Sequence, residues 1–286
     1  MNSSIQSAAR LLPSHIRSLA LSNPQIDSTE EIRLRTGCFP TLLISGSEKP
    51  FSTVTVRRED IETVLENASC SSIYSVADEL RRGYITAPGG VRVGVCGCAA
   101  VRGGVNALRD ISSVSIRVPR EVFGAGDGIL RGFDYLRSTL ILSPPGGGKT
   151  TLLRELIRQS SNAGYRVSVA DERGEIAGVF AAEPQFDVGQ HTDVLSFAPK
   201  AEGALMLLRA MNPQIIALDE ITCPEDCRAI ETIANCGVTV YATAHASGID
   251  DLRRRASYRD VLSLGIFQTA IFISGMPKRS YKAVEL

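Results

Sequence analysis

Residues 138–164, STLILSPPGGGKTTLLRELIRQSSNAG, restrict the fold more than any other stretch of this chain. An apolar run of strand length, STLILS (138–143), passes through PPGGG into a segment of helical period that starts at Lys149. A strand feeding a helix through a glycine-rich loop is the phosphate-cradling unit of a parallel α/β sheet. Its main-chain N–H groups turn inward at a helix N-terminus, whose dipole favours an anion. The pattern G-x-x-x-x-G-K-[ST] is met except at its first position, where Ser143 stands for glycine. That position serves the turn out of the strand. Serine is small, and Pro144 and Pro145 preset the backbone beyond it, so the loop is expected to bind. Gly146, Gly147 and Gly148 permit positive φ and close approach. Lys149 is placed for the β- and γ-phosphates and Thr150, followed by Thr151, for Mg²⁺.

A second acidic half-site follows. QIIALDE (214–220) is a buried strand ending in Asp219 and Glu220. A carboxylate here belongs to the Mg²⁺ shell of a phosphate-loop NTPase, and its neighbour can polarise the attacking water. Two more clusters sit at expected strand ends, where ligands bind in open α/β sheets. DERGE (171–175) offers Asp171, Glu172, Arg173 and Glu175, with Glu172 a second candidate base. ATAHA (242–246) places His245 just past a strand, either as a structural histidine or as a γ-phosphate sensor.

Around these motifs, strands and helices alternate. Strands are expected at 138–143, 166–171, 214–220, 238–245 and 269–274, and helices at 149–164, 202–211, 224–237 and 250–262. The expected fold is therefore α/β: a mostly parallel phosphate-loop sheet of the RecA/AAA kind with helices on both faces. Residues 1–124 read as a smaller α+β domain, and 125–286 as the phosphate-loop domain. The amphipathic N-terminus is divided at Pro13. Strands fall at 30–35, 41–45 and 114–118, helices at 58–69 and 75–85, and a hairpin at 89–104. Within that hairpin Val91, Val93 and Val95 alternate with Arg92, Gly94 and Cys96, the period of a strand. The glycine-rich stretch 121–134 reads as linker and leading helix.

Composition narrows the function. Lys plus Arg and Asp plus Glu are 31 each, so no global charge favours nucleic acid. The run Arg253–Arg254–Arg255 is the one local argument for a nucleic-acid-associated ATPase, and a solvated helix face explains it as well. Seven cysteines at irregular spacing contain no C-x-x-C pair. A zinc site is not expected, and the close pairs Cys96/Cys98 and Cys223/Cys227 read as small buried apolar groups. The N-terminus does not read as a signal peptide. No window carries the roughly 18 to 20 apolar residues of a membrane span.

The order SPPGGGKTT, VADERGEI, IIALDEI, TAHA resembles the ATPases that power type II and type IV secretion and pilus assembly. The segments EEIRLRTG, ELRRGYITAPGGVRVGVCG and RDISSVSIRVPRE are similar to the stage III sporulation protein AA family of spore-forming bacteria, so the resemblance spans nearly the whole chain. It implies an ATP- and Mg²⁺-dependent motor in the mother-cell cytoplasm, peripheral at the inner face of the membrane. It implies a homo-hexamer serving the channel to the forespore with other proteins of the same sporulation operon. It also implies that N-domain arginines complete the site; Arg92 and Arg117, which alternate with apolar residues on their strands, and Arg109 are the candidates, a solvated strand face being the plainer reading of each. The chain departs from the secretion pattern at Ser143 and in carrying Asp-Glu at 219–220 where many members have Gly-Glu.

Overall fold

The computed structural model describes residues 3–70, 76–101, 105–246, 248–254, 256–275 and 279–286. The chain divides into two compact units. One is Met1–Arg120 with Gly178–Gln185; the other is Glu121–Ala177 with Phe186–Leu286. The division falls at 120/121 rather than 124/125, and the return of residues 178–185 to the first unit has no counterpart in the sequence reading.

The first unit opens with α1 (Ser3–Arg10) and α2 (Ser14–Leu21), separated at Pro13. Pro13 cannot donate to a helix and restricts its predecessor, so the helix restarts after it. An antiparallel sheet follows, in the order β3-β2-β1-β6-β5-β4: β1 Glu31–Arg35, β2 Thr41–Ile44, β3 Ser47–Pro50, β4 Tyr84–Ala87, β5 Val91–Val101 and β6 Val105–Arg117. Its buried face carries Ile32, Leu34, Val91, Val93, Val114 and Ile116, packed with α1, α2 and α3 (Arg58–Ala68) through Ile5, Ile16, Ile61 and Val64 and with Leu12 of the α1–α2 connection. Full burial of such a side chain is worth about 1.5–3 kcal/mol. The alternate residues form the open face: Glu31, Arg33 and Arg35 on β1, Ser113, Ser115 and Arg117 on β6, and Arg92, Gly94 and Cys96 on β5.

Three expectations fail here. The helix over 75–85 is only α4, Ala77–Arg81, and Tyr84 and Ile85 belong to strand β4. Leu80 and Tyr84 keep helical spacing, which disguised the change of structure. The hairpin is also longer than 89–104, since β5 pairs with β6 from Arg92↔Arg117 to Val101↔Val105. Cys96 and Cys98 are exposed rather than buried, because the period that buries Val91 and Val93 turns Cys96 to the open face.

The second unit begins with the short α5 (Asp127–Leu130) and is built on a sheet ordered β13-β12-β7-β11-β10-β8-β9. Its strands are β7 Thr139–Ser143, β8 Val167–Asp171, β9 Thr192–Ser196, β10 Ile215–Leu218, β11 Thr239–His245, β12 Thr269–Ser274 and β13 Ser280–Glu285. All neighbours are parallel except β12 and β13. One face, with Leu140, Leu142, Leu218, Val240 and Ala242, packs on α7 (Lys200–Ala210), α8 (Pro224–Asn235), α9 (Ile249–Arg254) and α10 (Ala256–Ser263). The other meets α6 (Lys149–Asn162), whose Leu152, Leu153, Leu156 and Ile157 are fully buried and whose Ser160 bonds the Tyr241 hydroxyl at 3.0 Å. The single helix expected over 250–262 is two, and Arg255 between them lies outside the described residues. Arg253 pairs with Asp250 one turn earlier, at 3.6 Å.

Candidate functional site

Parallel strands send all their carboxyl ends to one edge of a sheet, and there the motifs of the second unit meet. β7 and β11 end in register at Ser143↔His245, β8 ends at Asp171, and β10 runs directly into Asp219 and Glu220. An open cleft of about 420 Å³ lies there, lined by Pro145, Gly146, Gly148, Lys149, Thr150, Thr151, Asp219, Glu220 and His245, together with Arg173, Glu175 and Arg279.

The loop before α6 is shaped for a main-chain cradle. Gly148 caps the helix at φ +96°, a conformation suited to glycine, and no side chain caps the first turn. A Cβ on Gly147 would lie 2.3 Å from Ser143 Oγ. The serine that replaces the first glycine therefore fills, from the buried strand end, the space a Gly147 side chain would need. Its hydroxyl donates to the Pro144 carbonyl at 2.9 Å and is spent within the loop. Ser143, Pro144 and Gly147 shape the loop without lining the cleft.

Lys149 is buried, with Nζ 2.7 Å from His245 Nδ1. An ammonium only donates, so Nδ1 accepts and the imidazole carries its proton on Nε2, which stands 3.1 Å from Glu220 Oε1. Lys149, His245 and Glu220 thus form one hydrogen-bonded chain. Burial holds the Lys149 ammonium below its ordinary pKa, while the Glu220 and Asp219 carboxylates oppose that shift. The Thr150 hydroxyl donates to Asp219 Oδ2 at 3.1 Å, and the Thr243 hydroxyl to Oδ1 at 2.8 Å.

This donor set fits a nucleotide with its metal. Among the described residues no cluster of three or more His, Cys, Asp or Glu side chains could hold a metal alone. A Thr hydroxyl beside one carboxylate is the partial set Mg²⁺ takes when phosphate oxygens and water complete its shell.

The acidic segment after β8 divides its labour. Asp171 is buried and accepts from the N–H groups of Glu175 (2.9 Å), Ile176 (3.1 Å) and Ala177 (2.9 Å). Burial raises its pKa against those three donors. From α6, Arg154 donates to the carbonyls of Ile176 (2.6 Å) and Glu175 (2.7 Å) and lies 4.0 Å above the Phe186 ring. Asp171 is thus a turn-former. Arg173, 3.7 Å from Glu220 Oε2, and Glu175 reach the cleft. Glu172 does not line it; it lies 3.9 Å from the buried Lys200 ammonium.

Arg92 and Arg117 belong to the first unit. Arg92 lies 3.8 Å above the Tyr84 ring, and Arg117 pairs with Glu31 at 3.1 Å. Arg109 pairs with Cys98 in the β5–β6 register.

Sequence reasoning missed four residues of the second unit. Arg279, just ahead of β13, lies with its guanidinium carbon 2.7 Å from where a Gly148 Cβ would be. Thr243, Lys200 and Arg154 complete the set. The only available signal was the period-two placement of Thr243 beside His245 on β11.

Residues 3–280 match the family described as sporulation stage III, protein AA. The chain is 37% identical over 262 residues to stage III sporulation protein AA of Bacillus subtilis (strain 168), covering 88% of this chain and 85% of that protein. Two solved structures share its fold at low identity. The Legionella pneumophila ATPase DotB has a TM-score of 0.59 at 17% identity, covering 94% of this chain and 79% of that one. The pilus retraction motor PilT, solved with ADP, has a TM-score of 0.62 at 18% identity, covering 93% and 82%. This chain belongs to the sporulation stage III, protein AA family, and its fold is the α/β fold of those ATPases.

Proposed function

We propose that the protein is a Mg²⁺-dependent ATP-hydrolysing motor. The observation that carries this reading is the convergence of Lys149, Thr150, Asp219, Glu220 and His245 on one cleft. Bound MgATP supplies the γ-phosphoryl group and neutralises charge on it. Lys149 leaves His245 Nδ1 and turns to the phosphates. Main-chain N–H groups of 146–150 cradle them, with Arg279 adding positive charge over Gly148. The Thr150 hydroxyl and Asp219 hold the metal. Glu220 orients the attacking water and takes its proton. His245, released by Lys149 and still beside Glu220, couples nucleotide occupancy to that carboxylate. Arg92 and Arg117 are proposed to bring compensating charge to a nucleotide site in the assembled protein, since an external arginine is worth orders of magnitude in rate in NTPases.

The test is turnover with and without Glu220→Gln. Retained ATP binding with lost hydrolysis supports the reading; hydrolysis that persists there and stops in Glu172→Gln reverses the two roles. Family membership supports placing the motor in a sporulating mother cell, on the cytoplasmic side of the channel to the forespore, with other proteins of its operon. Among the described residues no helix is long and apolar enough to cross a membrane, so the proposed membrane attachment runs through partners. A homo-hexamer is the proposed assembly, checked by specific activity that rises with protein concentration. Pull-down from sporulating cells with Glu220→Gln as a trap identifies the partners, and recovery of no membrane protein counts against the channel role.

A further inference from the structure

Glu220 has a backbone that an L-residue seldom adopts, φ +21°. A non-glycine residue stays at positive φ only where its surroundings over-determine it. Here both sides of the residue are held. Its N–H donates to Asp219 Oδ1 at 3.0 Å and to Thr243 Oγ1 at 2.9 Å. Its carbonyl accepts from Lys200 Nζ.

Lys200 is the first residue of α7 and is 8% exposed. A buried ammonium is costly unless each of its protons finds a partner. Lys200 donates to the Glu220 carbonyl and lies in ion-pair range of two carboxylates, Asp226 Oδ2 at 3.2 Å and Glu172 Oε2 at 3.9 Å. Asp226 is 3% exposed and is fixed in turn by the N–H groups of Thr222 (2.9 Å) and Cys223 (3.3 Å) at the start of α8. The lysine, at the start of α7, is therefore braced from α8 and aimed at one main-chain oxygen.

We propose that Lys200, braced by Asp226, is a positioning residue that pins Glu220 at positive φ and so directs its carboxylate at His245 and the cleft. The proposal rests on the reading of Glu220 as the residue that orients water. It gives Glu172 a place as a third partner of Lys200 instead of a second base. The N–H side of the clamp is shared with Asp219 and Thr243, so the carbonyl side is the part Lys200 alone supplies.

The experiment uses the full chain with Lys200→Met, which removes the donor and keeps the length, and Lys200→Gln, which keeps a neutral donor. Three quantities are read: kcat for ATP, affinity for a fluorescent ADP, and the Glu220 φ in a crystal structure of each variant without nucleotide. Lys200→Met is expected to lower kcat roughly ten- to a hundredfold, the order a misplacement of about 1 Å costs, with ADP affinity changed by less than about twofold. Lys200→Gln falls between the two. In a Glu220→Gln background, Lys200→Met adds no further loss, because residues acting through one another are non-additive. Glu220 moves to negative φ in Lys200→Met. Should Lys200→Met fail to fold, Lys200→Gln carries the same readings. An unchanged kcat and φ in the folded variant overturns the proposal, as does an equal further loss in the Glu220→Gln background. If Glu220→Gln itself leaves turnover intact, the reading of Glu220 is what fails, and the φ of Glu220 in Lys200→Met still reports on the clamp.

Discussion

At the carboxyl ends of the parallel strands, Lys149, Asp219, Glu220 and His245 share one cleft. On the open face of the antiparallel sheet, Arg33, Arg35 and Arg117 are each met by Glu31 or Glu48. The difference follows from strand direction. A parallel sheet collects its strand ends at one edge, where side chains from distant parts of the sequence face a common space. An antiparallel sheet sets cross-strand neighbours about 5 Å apart, so charge on its face is answered locally. In the cleft the lysine is bonded to an imidazole nitrogen, a partner that on the proposed reading it exchanges for a phosphate.

The comparison breaks most plainly if Lys149 is dispensable. Lys149→Ala is expected to weaken ATP binding by about a hundredfold or more, since hydrogen bonds to charged groups are the strong ones. Equilibrium titration with a fluorescent nucleotide measures this, and affinity within a few-fold of wild type removes the cleft from consideration. Next come the answered arginines. Arg92→Ala and Arg117→Ala are expected to lower kcat about tenfold or more while ATP affinity holds. Changes confined to thermal stability would mean that the pairing with Glu31 and Tyr84 is their whole role.

A smaller effect tests the loop. Gly147→Ala is expected to cost roughly tenfold in nucleotide affinity, about 1.4 kcal/mol, because its new Cβ meets Ser143 Oγ. Ser143→Gly alone changes affinity by less than that, and placed on Gly147→Ala it recovers part of the loss. Titration of the four proteins decides, and an additive pair rules out the contact. Smallest is the acid limb of the first unit. The hydrogen bond from Arg35, helped by Thr41, lowers the Glu48 carboxyl to about 2. A folded pKa below the unfolded value means stability that is complete above about 4.5 and lost as pH falls toward about 2. Glu48→Gln should lose that component: its stability, measured by urea unfolding, should vary less with pH over that window. An unchanged slope would mean that solvent screens the pair.

The second unit was largely legible because buried parallel strands are continuous apolar runs: TLILS, VSVAD, IIAL and TAIFIS announce themselves. What escaped is patterned too. The four strands not anticipated, β3, β4, β9 and β13, are the two edges of each sheet. Edges are kept polar or short, as SEKP and SYKAVE are, and TDVLS offers little apolar length. The exception is β4, whose YITA is buried but continues the period of the helix before it. The site follows the same logic. Lys149, Thr150, Asp219, Glu220 and His245 sit inside contiguous motifs, with Thr243 beside His245, whereas Lys200, Arg154 and Arg279 acquire their place only from the fold. Glu172 follows Asp171 in sequence, but the turn sets it beside Lys200 and not among the residues that line the cleft.

The return of residues 178–185 to the first unit has a consequence for how the protein is made. Gln185 accepts the Gly89 N–H at 2.8 Å, and Phe180 and Glu183 exchange main-chain hydrogen bonds within that segment. The first body is therefore unfinished when residue 120 leaves the ribosome. It waits for residue 185, by which point the phosphate loop, α6 and β8 of the second body have already been synthesised. The segments of the two bodies are thus interleaved in order of synthesis. A fragment ending at 120 lacks a piece of its own body, and one beginning at 121 carries that piece with nothing of its body to pack on.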